Sequence, residues 1–193
     1  MHKKETEIFY PRSKSDWRKW LYENHISKQA VWLVYYKKKS EIESITWGEA
    51  VDEALCFGWI DSKRISIDKN TSHQFFCKRK PKSTWSKINK NKVQELIDKG
   101  LMAEAGLKCI EIAKQNGSWS ILDEVEELII PKDLETEFDN KPSAKDFFCS
   151  LSKSVKKMIL YWLIGAKTTV TRQKRIVEII ECAEQNLKPK HLR

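Results

Sequence analysis

The sequence predicts an α+β fold, in which a small antiparallel sheet with packed helices is followed by an all-helical C-terminal part. Gly (6) and Pro (5) are scarce among the 193 residues, which disfavours an all-β sandwich with many tight turns. Strand patterns fall within residues 1–80, whereas later apolar residues recur at helical spacing. Hydrophobic residues (40%) and eight Trp suffice for a defined core.

The first two predicted helices flank a strand. Trp17, Trp20 and Leu21 recur at helical spacing and predict a helix over 13–24. The β-branched and aromatic run at 30–36 predicts a central, buried strand. Thr46, followed three residues later by a Glu, forms a capping-box pattern that begins a second helix.

A hairpin follows the second helix. Gly58 is suited to end that helix. Ile65 and Ile67 alternate with polar residues, and the polar segment 68–72 predicts a turn, so 63–78 is predicted to form two antiparallel strands.

Helical patterns dominate after Pro81, which ends the sheet. A long helix is predicted over about 84–99, with Ser83 or Thr84 as its cap, and another over 103–116. The segment 119–130 is acidic and is expected to be irregular. Four more helices are predicted, the first with Pro131 at its first position, over 131–139, 141–150, 152–166 and 170–186.

These patterns divide the chain into four parts. Residues 1–80 form the sheet-containing part, and 81–118 a helical pair packed on it. Residues 119–140 form an acidic connector, and 141–193 the helical C-terminal part.

The formal net charge of +9 is unevenly distributed. Residues 63–92 hold ten basic residues and one acid, 119–140 hold eight acids and one Lys, and 141–193 hold twelve basic and four acidic residues. Blocks of like charge indicate either a binding surface or mutual neutralisation in the fold.

A basic block that begins at Lys78 leads into the helix predicted near Thr84. Helix N-termini favour anions, so this junction suits a phosphate, a carboxylate or a nucleic-acid backbone. Trp59, Phe75, Phe76 and Trp85 lie near enough in sequence to stack a ring. The alternative is structural: Ser83 or Thr84 caps the helix, Trp85 belongs to the core, and the lysines are solvated.

Three functions remain open. The first is binding of a small anionic or aromatic ligand at the sheet–helix junction, by Asp61, Arg64, Arg79, Ser83, Trp85 and Asn89. The second is nucleic-acid binding through 63–92, by Lys78, Arg79, Lys80, Lys82, Lys87 and Lys90. The third is an enzyme with a cleft between the two parts. Its catalytic residues are unknown: Asp61 suits a general base, and the alternative interpretation is a structural ion pair or a turn-capping Asp.

The run from Glu53 to Asp61 (EALCFGWID) resembles the YdeI/OmpD-associated family, also labelled bacteriocin-protection. Further matching positions include Arg79, Trp85 and Gly106, and the resemblance covers about residues 15–185. It implies a protein related to stress or resistance, with no activity that transfers residue by residue.

Several classes of site are not expected. The four His show no metal-binding spacing, and the few Gly form neither a P-loop nor a dinucleotide-binding pattern, so neither a metal nor another cofactor is expected. The five Cys lack paired spacing and predict buried, reduced thiols. No apolar run approaches the ~20 residues that span a bilayer. The polar N-terminal segment 1–7 is unlike a signal peptide, which favours a cytoplasmic protein. Oligomeric state is left open.

Overall fold

The computed structural model describes residues 6–193 and divides the chain into two compact units, with the boundary between Trp119 and Ser120. Residues 1–5, which begin the polar N-terminal segment and the predicted 1–80 part, lie outside the described residues. Each unit has a hydrophobic core of its own.

The first unit combines a four-stranded sheet with helices. Its elements in chain order are β1 (Ile8–Phe9), α1 (Lys14–Asn24), β2 (Ala30–Tyr36), a 3-10 turn (Lys38–Ser40), α2 (Trp47–Cys56), β3 (Trp59–Ser66), β4 (Thr71–Lys78), α3 (Lys87–Asp98) and α4 (Glu104–Gln115). The predicted α+β class is confirmed, and so are the strand at 30–36 and the hairpin.

The sheet has the strand order β1-β2-β4-β3. The three long strands pair antiparallel, as predicted, but β1 pairs parallel to β2, so the sheet is mixed. Ile8 lies opposite Trp32 and Phe9 opposite Leu33. A strand of two residues is too short to produce a periodic pattern, which explains why β1 was not predicted.

The core of the first unit lies between α1, α2 and one face of the sheet. Trp17 is fully buried there, and its indole Nε1 donates a hydrogen bond to the Ala50 carbonyl of α2, at 3.0 Å. The predicted capping box is present at the start of α2. The Glu49 amide donates to the Thr46 hydroxyl, and the Glu49 carboxylate accepts from the Thr46 amide.

The helix α3 begins at Lys87, three residues later than predicted. Its cap is Ser86, whose hydroxyl accepts from the Asn89 amide at 3.3 Å. The Ser83 hydroxyl instead donates to the Lys80 carbonyl, at 2.8 Å. The prediction that Ser83 or Thr84 caps this helix was therefore wrong. The Trp85 side chain is buried, which fixes the backbone just before the helix. Ser86, the next hydroxyl residue along the chain, is therefore the N-cap.

Ser86→Ala is expected to lower the free energy of unfolding by about 1 kcal/mol, because the substitution removes the acceptor for an otherwise unpaired amide. The measurement is urea denaturation. Ser83→Ala is the matched control and should change stability by less than about 0.5 kcal/mol. Equal losses in the two variants would contradict the assignment of the cap.

The second unit is all-helical, as predicted for the C-terminal part. Its elements are α5 (Asp123–Glu126), α6 (Lys132–Asn140), α7 (Pro142–Ser150), α8 (Lys153–Ile164), α9 (Thr169–Glu184) and a 3-10 turn (Lys190–Leu192). Its core includes Leu134, Phe138, Leu160 and Leu163, all fully buried. Two local predictions were wrong: α5 interrupts the segment expected to be irregular, and Pro131 is the extended N-cap of α6 rather than its first residue.

All five cysteines are unpaired. Cys56 and Cys182 are buried as predicted, Cys77 and Cys109 are half-buried, and Cys149 is exposed, which corrects the expectation that every thiol is buried. Across residues 6–193, no helix combines the length and the apolar character needed to cross a membrane.

Candidate ligand-binding site

The most unusual polar group of the first unit is the guanidinium of Arg79, directly after β4. The side chain is only 8% exposed. Its guanidinium carbon lies 3.7 Å from the ring centroid of Trp85, and Nη2 donates to the Thr84 carbonyl. Nε and Nη1 are buried and have no acceptor among the described residues. Three N–H groups of this cation are therefore unsatisfied.

The electrostatic environment of Arg79 reflects this incomplete pairing. Burial lowers the pKa of the guanidinium from its ordinary 12.5 to about 10, because loss of hydration disfavours the charged form. The negative charge of Asp61 raises the pKa of Arg79 and only partly compensates for the lost hydration. Burial also raises the pKa of the Cys109 thiol, which keeps it protonated. Near neutral pH, Arg79 is thus a charged group that lacks a full set of partners.

Arg79 lines a pocket of about 510 Å³, which is within the range of small-molecule sites. Lys78, Lys108 and His25 contribute its other basic groups, and none of the described lining residues is Asp or Glu. The apolar part of the lining comes from Ile26, Phe57, Trp59, Pro81, Ala105 and Ile112. The pocket is therefore suited to an anionic group attached to an apolar body.

Two of the predicted ligand-binding residues meet in this region. Arg79 lines the pocket, and Trp85 supports it from behind through the stacking contact. Trp85 is 1% exposed and packs against Trp119, with ring centroids 5.0 Å apart. Its role here is to position Arg79.

Asp61 and Arg64 of β3 do not line the pocket. The Asp61 carboxylate accepts from Trp47 Nε1 at 2.9 Å and from Gln74 Nε2 at 3.2 Å. Arg64 donates to the Ser72 hydroxyl through Nε and Nη2, at 3.1 and 2.7 Å. Both side chains thus form hydrogen bonds within the sheet and to the start of α2.

Ser83 and Asn89 also lie outside the pocket lining. The Ser83 hydroxyl binds the Lys80 carbonyl, and the Asn89 amide binds the cap of α3. Ser83 thus stabilises the turn that precedes α3, whereas the Asn89 amide is part of the first turn of that helix.

The six residues of the alternative nucleic-acid interface have different environments. Arg79 is buried, and the Lys78 ammonium donates to the Ile26 carbonyl at 2.6 Å. The Lys90 ammonium lies 5.4 Å from the Trp119 ring centroid. The exposed members are Lys80, Lys82 and Lys87.

Several pocket residues come from elements that are distant in the sequence, and these were not predicted. His25 follows α1, whereas Lys108 and Cys109 belong to α4. Gly58, which has a φ of +71°, is a local sequence signal that α4 packs closely against the end of α2. A Cβ built on Gly58 would lie 3.1 Å from the Ala105 carbonyl oxygen. A glycine is therefore needed where the end of α2 meets α4.

The second unit holds a separate pocket of about 520 Å³. Its lining is mostly apolar, and its Lys157 ammonium is paired with the Glu126 carboxylate at 2.6 Å. The pocket beside Arg79 is the stronger candidate, because it contains a buried cation with unsatisfied donors.

Comparison with known families gives one match in each unit. Residues 9–109, more than half of the chain, match the model described as a domain of unknown function (DUF8412). Residues 127–186 match the model described as bacteriocin-protection, YdeI or OmpD-associated, which confirms the predicted resemblance for that segment. The motif at 53–61 falls within the first match. No curated protein and no solved structure matches the chain.

Proposed function

Since the chain belongs to the family described as a domain of unknown function (DUF8412), we propose that its first unit binds a small anionic ligand in the pocket beside Arg79. The proposal rests on one observation. A buried guanidinium with three unsatisfied N–H groups lies at the wall of a pocket whose other charged lining residues are cations.

The buried charge of Arg79 requires a counter-charge. A buried charged donor without an acceptor costs several kcal/mol, and the lost hydration is regained only through a counter-charge at short range. A ligand carboxylate or phosphate supplies that counter-charge in a site of low dielectric constant. Ile26, Pro81 and Ile112, which are exposed or half-buried, offer apolar contacts to the rest of the ligand. We therefore expect a carboxylate or phosphate that carries an aromatic or aliphatic group.

The biological setting belongs to the same proposal. We place the protein in the cytoplasm, where unpaired thiols stay reduced. We assign it a role in stress or resistance, in line with the description of the family that residues 127–186 match. The test is survival of a sensitive bacterial strain that expresses the wild type or Arg79→Met during bacteriocin challenge. Protection by the wild type alone supports this role, whereas equal survival contradicts it.

Arg79→Met is expected to abolish ligand binding without loss of stability, because an apolar chain of similar length replaces a buried, incompletely paired cation. Thermal shift with phenyl phosphate, benzoate and the neutral benzyl alcohol measures both effects. At a hundred times Kd, an anionic probe should raise the wild-type Tm by roughly 5–10 °C. The variant should show no shift and an unliganded stability within about 1 kcal/mol of the wild type.

The control for this experiment is Lys82→Met, which removes an exposed charge outside the pocket lining and should keep the wild-type shift. The proposal fails if neither anionic probe raises the wild-type Tm. It also fails if Arg79→Met retains the shift, or if benzyl alcohol stabilises the wild type as strongly as phenyl phosphate does.

A further inference from the structure

The sheet of the first unit has a second face, opposite the one that packs on α1 and α2. Along β4, buried residues alternate with half-buried ones, and the first half of β2 follows the same alternation. Val31, Leu33 and Phe76 belong to the core face. Their neighbours Trp32 and Phe75 point to the opposite face and are half-buried. This second face is therefore aromatic and partly open to solvent.

Two aromatic rings form the centre of that face. Trp32 of β2 lies directly opposite Phe75 of β4, and their ring centroids are 4.9 Å apart in an edge-on arrangement. His73 is the next residue on the same face of β4, 6.5 Å from Trp32 between ring centroids. An antiparallel sheet normally presents polar side chains on its solvated face. Contiguous aromatic surface that is partly open to solvent is typical of a binding site.

A positive charge lies directly above the two rings. The register between β3 and β4 shifts between Asp61 and Arg64, an irregularity of the kind that re-aims side chains. Within it, the Lys63 ammonium lies 5.2 Å from the Trp32 ring centroid and 5.6 Å from that of Phe75. Lys63 also begins the segment 63–92, which holds ten basic residues and one acid. At this face, the aromatic pair is thus combined with the exposed positive charge of Lys63.

We propose that Trp32, Phe75 and Lys63 form a binding surface for single-stranded nucleic acid. Bases have flat π faces that stack on aromatic rings. A lysine beside the rings can pair with a backbone phosphate next to a stacked base. Aromatic residues on the two central strands of a four-stranded sheet provide such a platform for unpaired bases. A duplex hides the faces of its bases, so a single strand is the matching partner. This surface differs from both the Arg79 pocket and the predicted contacts at Lys78–Lys90.

Fluorescence anisotropy with labelled 12-nucleotide oligo(dT) and oligo(U), and with a 12-base-pair duplex, tests the proposal. The single strands should bind at least tenfold tighter than the duplex at 50 mM NaCl. Trp32→Leu and Phe75→Leu keep an apolar side chain but remove the ring, and each should weaken binding by about tenfold. Lys63→Gln should reduce the slope of log affinity against log salt by about 0.7.

Matched controls lie on α1. Tyr22→Leu removes a ring that is 76% exposed, and Lys19→Gln removes an exposed charge; neither should change the affinity. Lys63 is exposed, so its variant remains informative if a ring variant fails to fold. Absence of binding by the wild type overturns the proposal, and so does equal affinity for the duplex. Polyglutamate binding as tight as oligo(dT) binding, or ring variants with wild-type affinity, overturns it as well.

Discussion

Gly106→Ala should lower the free energy of unfolding of the first unit by about 3 kcal/mol. A Cβ built on this glycine of α4 would lie 2.2 Å from the carbonyl oxygen of Cys56 and 2.8 Å from its carbonyl carbon. The obstructing atoms are backbone atoms at the end of α2, and the same oxygen accepts a hydrogen bond from the Ala103 amide at 3.0 Å. Because a backbone carbonyl cannot rotate away as a side chain does, the methyl group must force the two helices apart.

Urea denaturation followed by circular dichroism measures this loss. Gly48→Ala is the matched control, since Gly48 lies in the first turn of α2 and a Cβ there meets no atom within 4 Å. Alanine is the better helix former, so the control should be neutral or more stable by up to about 1 kcal/mol. Similar stabilities of the two variants would show that the fold does not require α4 to pack this closely against the end of α2.

Arg18→Met should destabilise the first unit by about 3 kcal/mol, because it leaves a buried carboxylate without its main partner. The Glu53 side chain in α2 is 1% exposed, and it accepts from Arg18 Nη1 at 2.6 Å and from Lys14 Nζ at 3.2 Å. Arg18 Nη2 also donates to the Leu101 carbonyl, at 2.8 Å. One guanidinium therefore links α1 to α2 and to the loop between α3 and α4.

A double-mutant cycle separates the ion pair from packing. Replacing both partners, in Arg18→Met with Glu53→Leu, should recover most of the stability lost in the single Arg18 variant, because no buried charge remains. Lys19→Met, next to Arg18 but exposed, controls for the loss of a positive charge on α1. A double variant less stable than Arg18→Met would contradict a buried carboxylate as the source of the loss.

Local patterns determined which parts of the fold were predictable. The capping box at Thr46 was predicted because its residues and its hydrogen bonds lie within a single turn. The start of α3 was not, since Ser83, Thr84 and Ser86 are equally good caps by type. Burial of Trp85 beneath Arg79 selects among them, and no local pattern records that tertiary contact.

The candidate site likewise has one part that the local sequence predicts and another part that depends on tertiary contacts. Arg79 and Trp85 are six residues apart, so their proximity was predictable. Lys108 and Cys109 reach the pocket only because α4 packs across Gly58, a contact between residues about 50 positions apart. The basic residues that follow Asp61 in the sequence suggest charged partners for its carboxylate, but its hydrogen bonds are to Trp47 and Gln74. Chain proximity alone does not reveal partners of this kind.

The unequal distribution of tryptophan gives the chain a built-in optical label. Seven of the eight Trp lie in the first unit, where Trp17 and Trp20 stack with ring centroids 5.1 Å apart. Only Trp162 lies in the second unit, 4.2 Å from the His191 ring between centroids. Intrinsic fluorescence of the wild type therefore reports chiefly on the first unit. The difference spectrum between wild type and Trp162→Phe isolates the emission of the second, so one sample pair resolves the two units without an added dye.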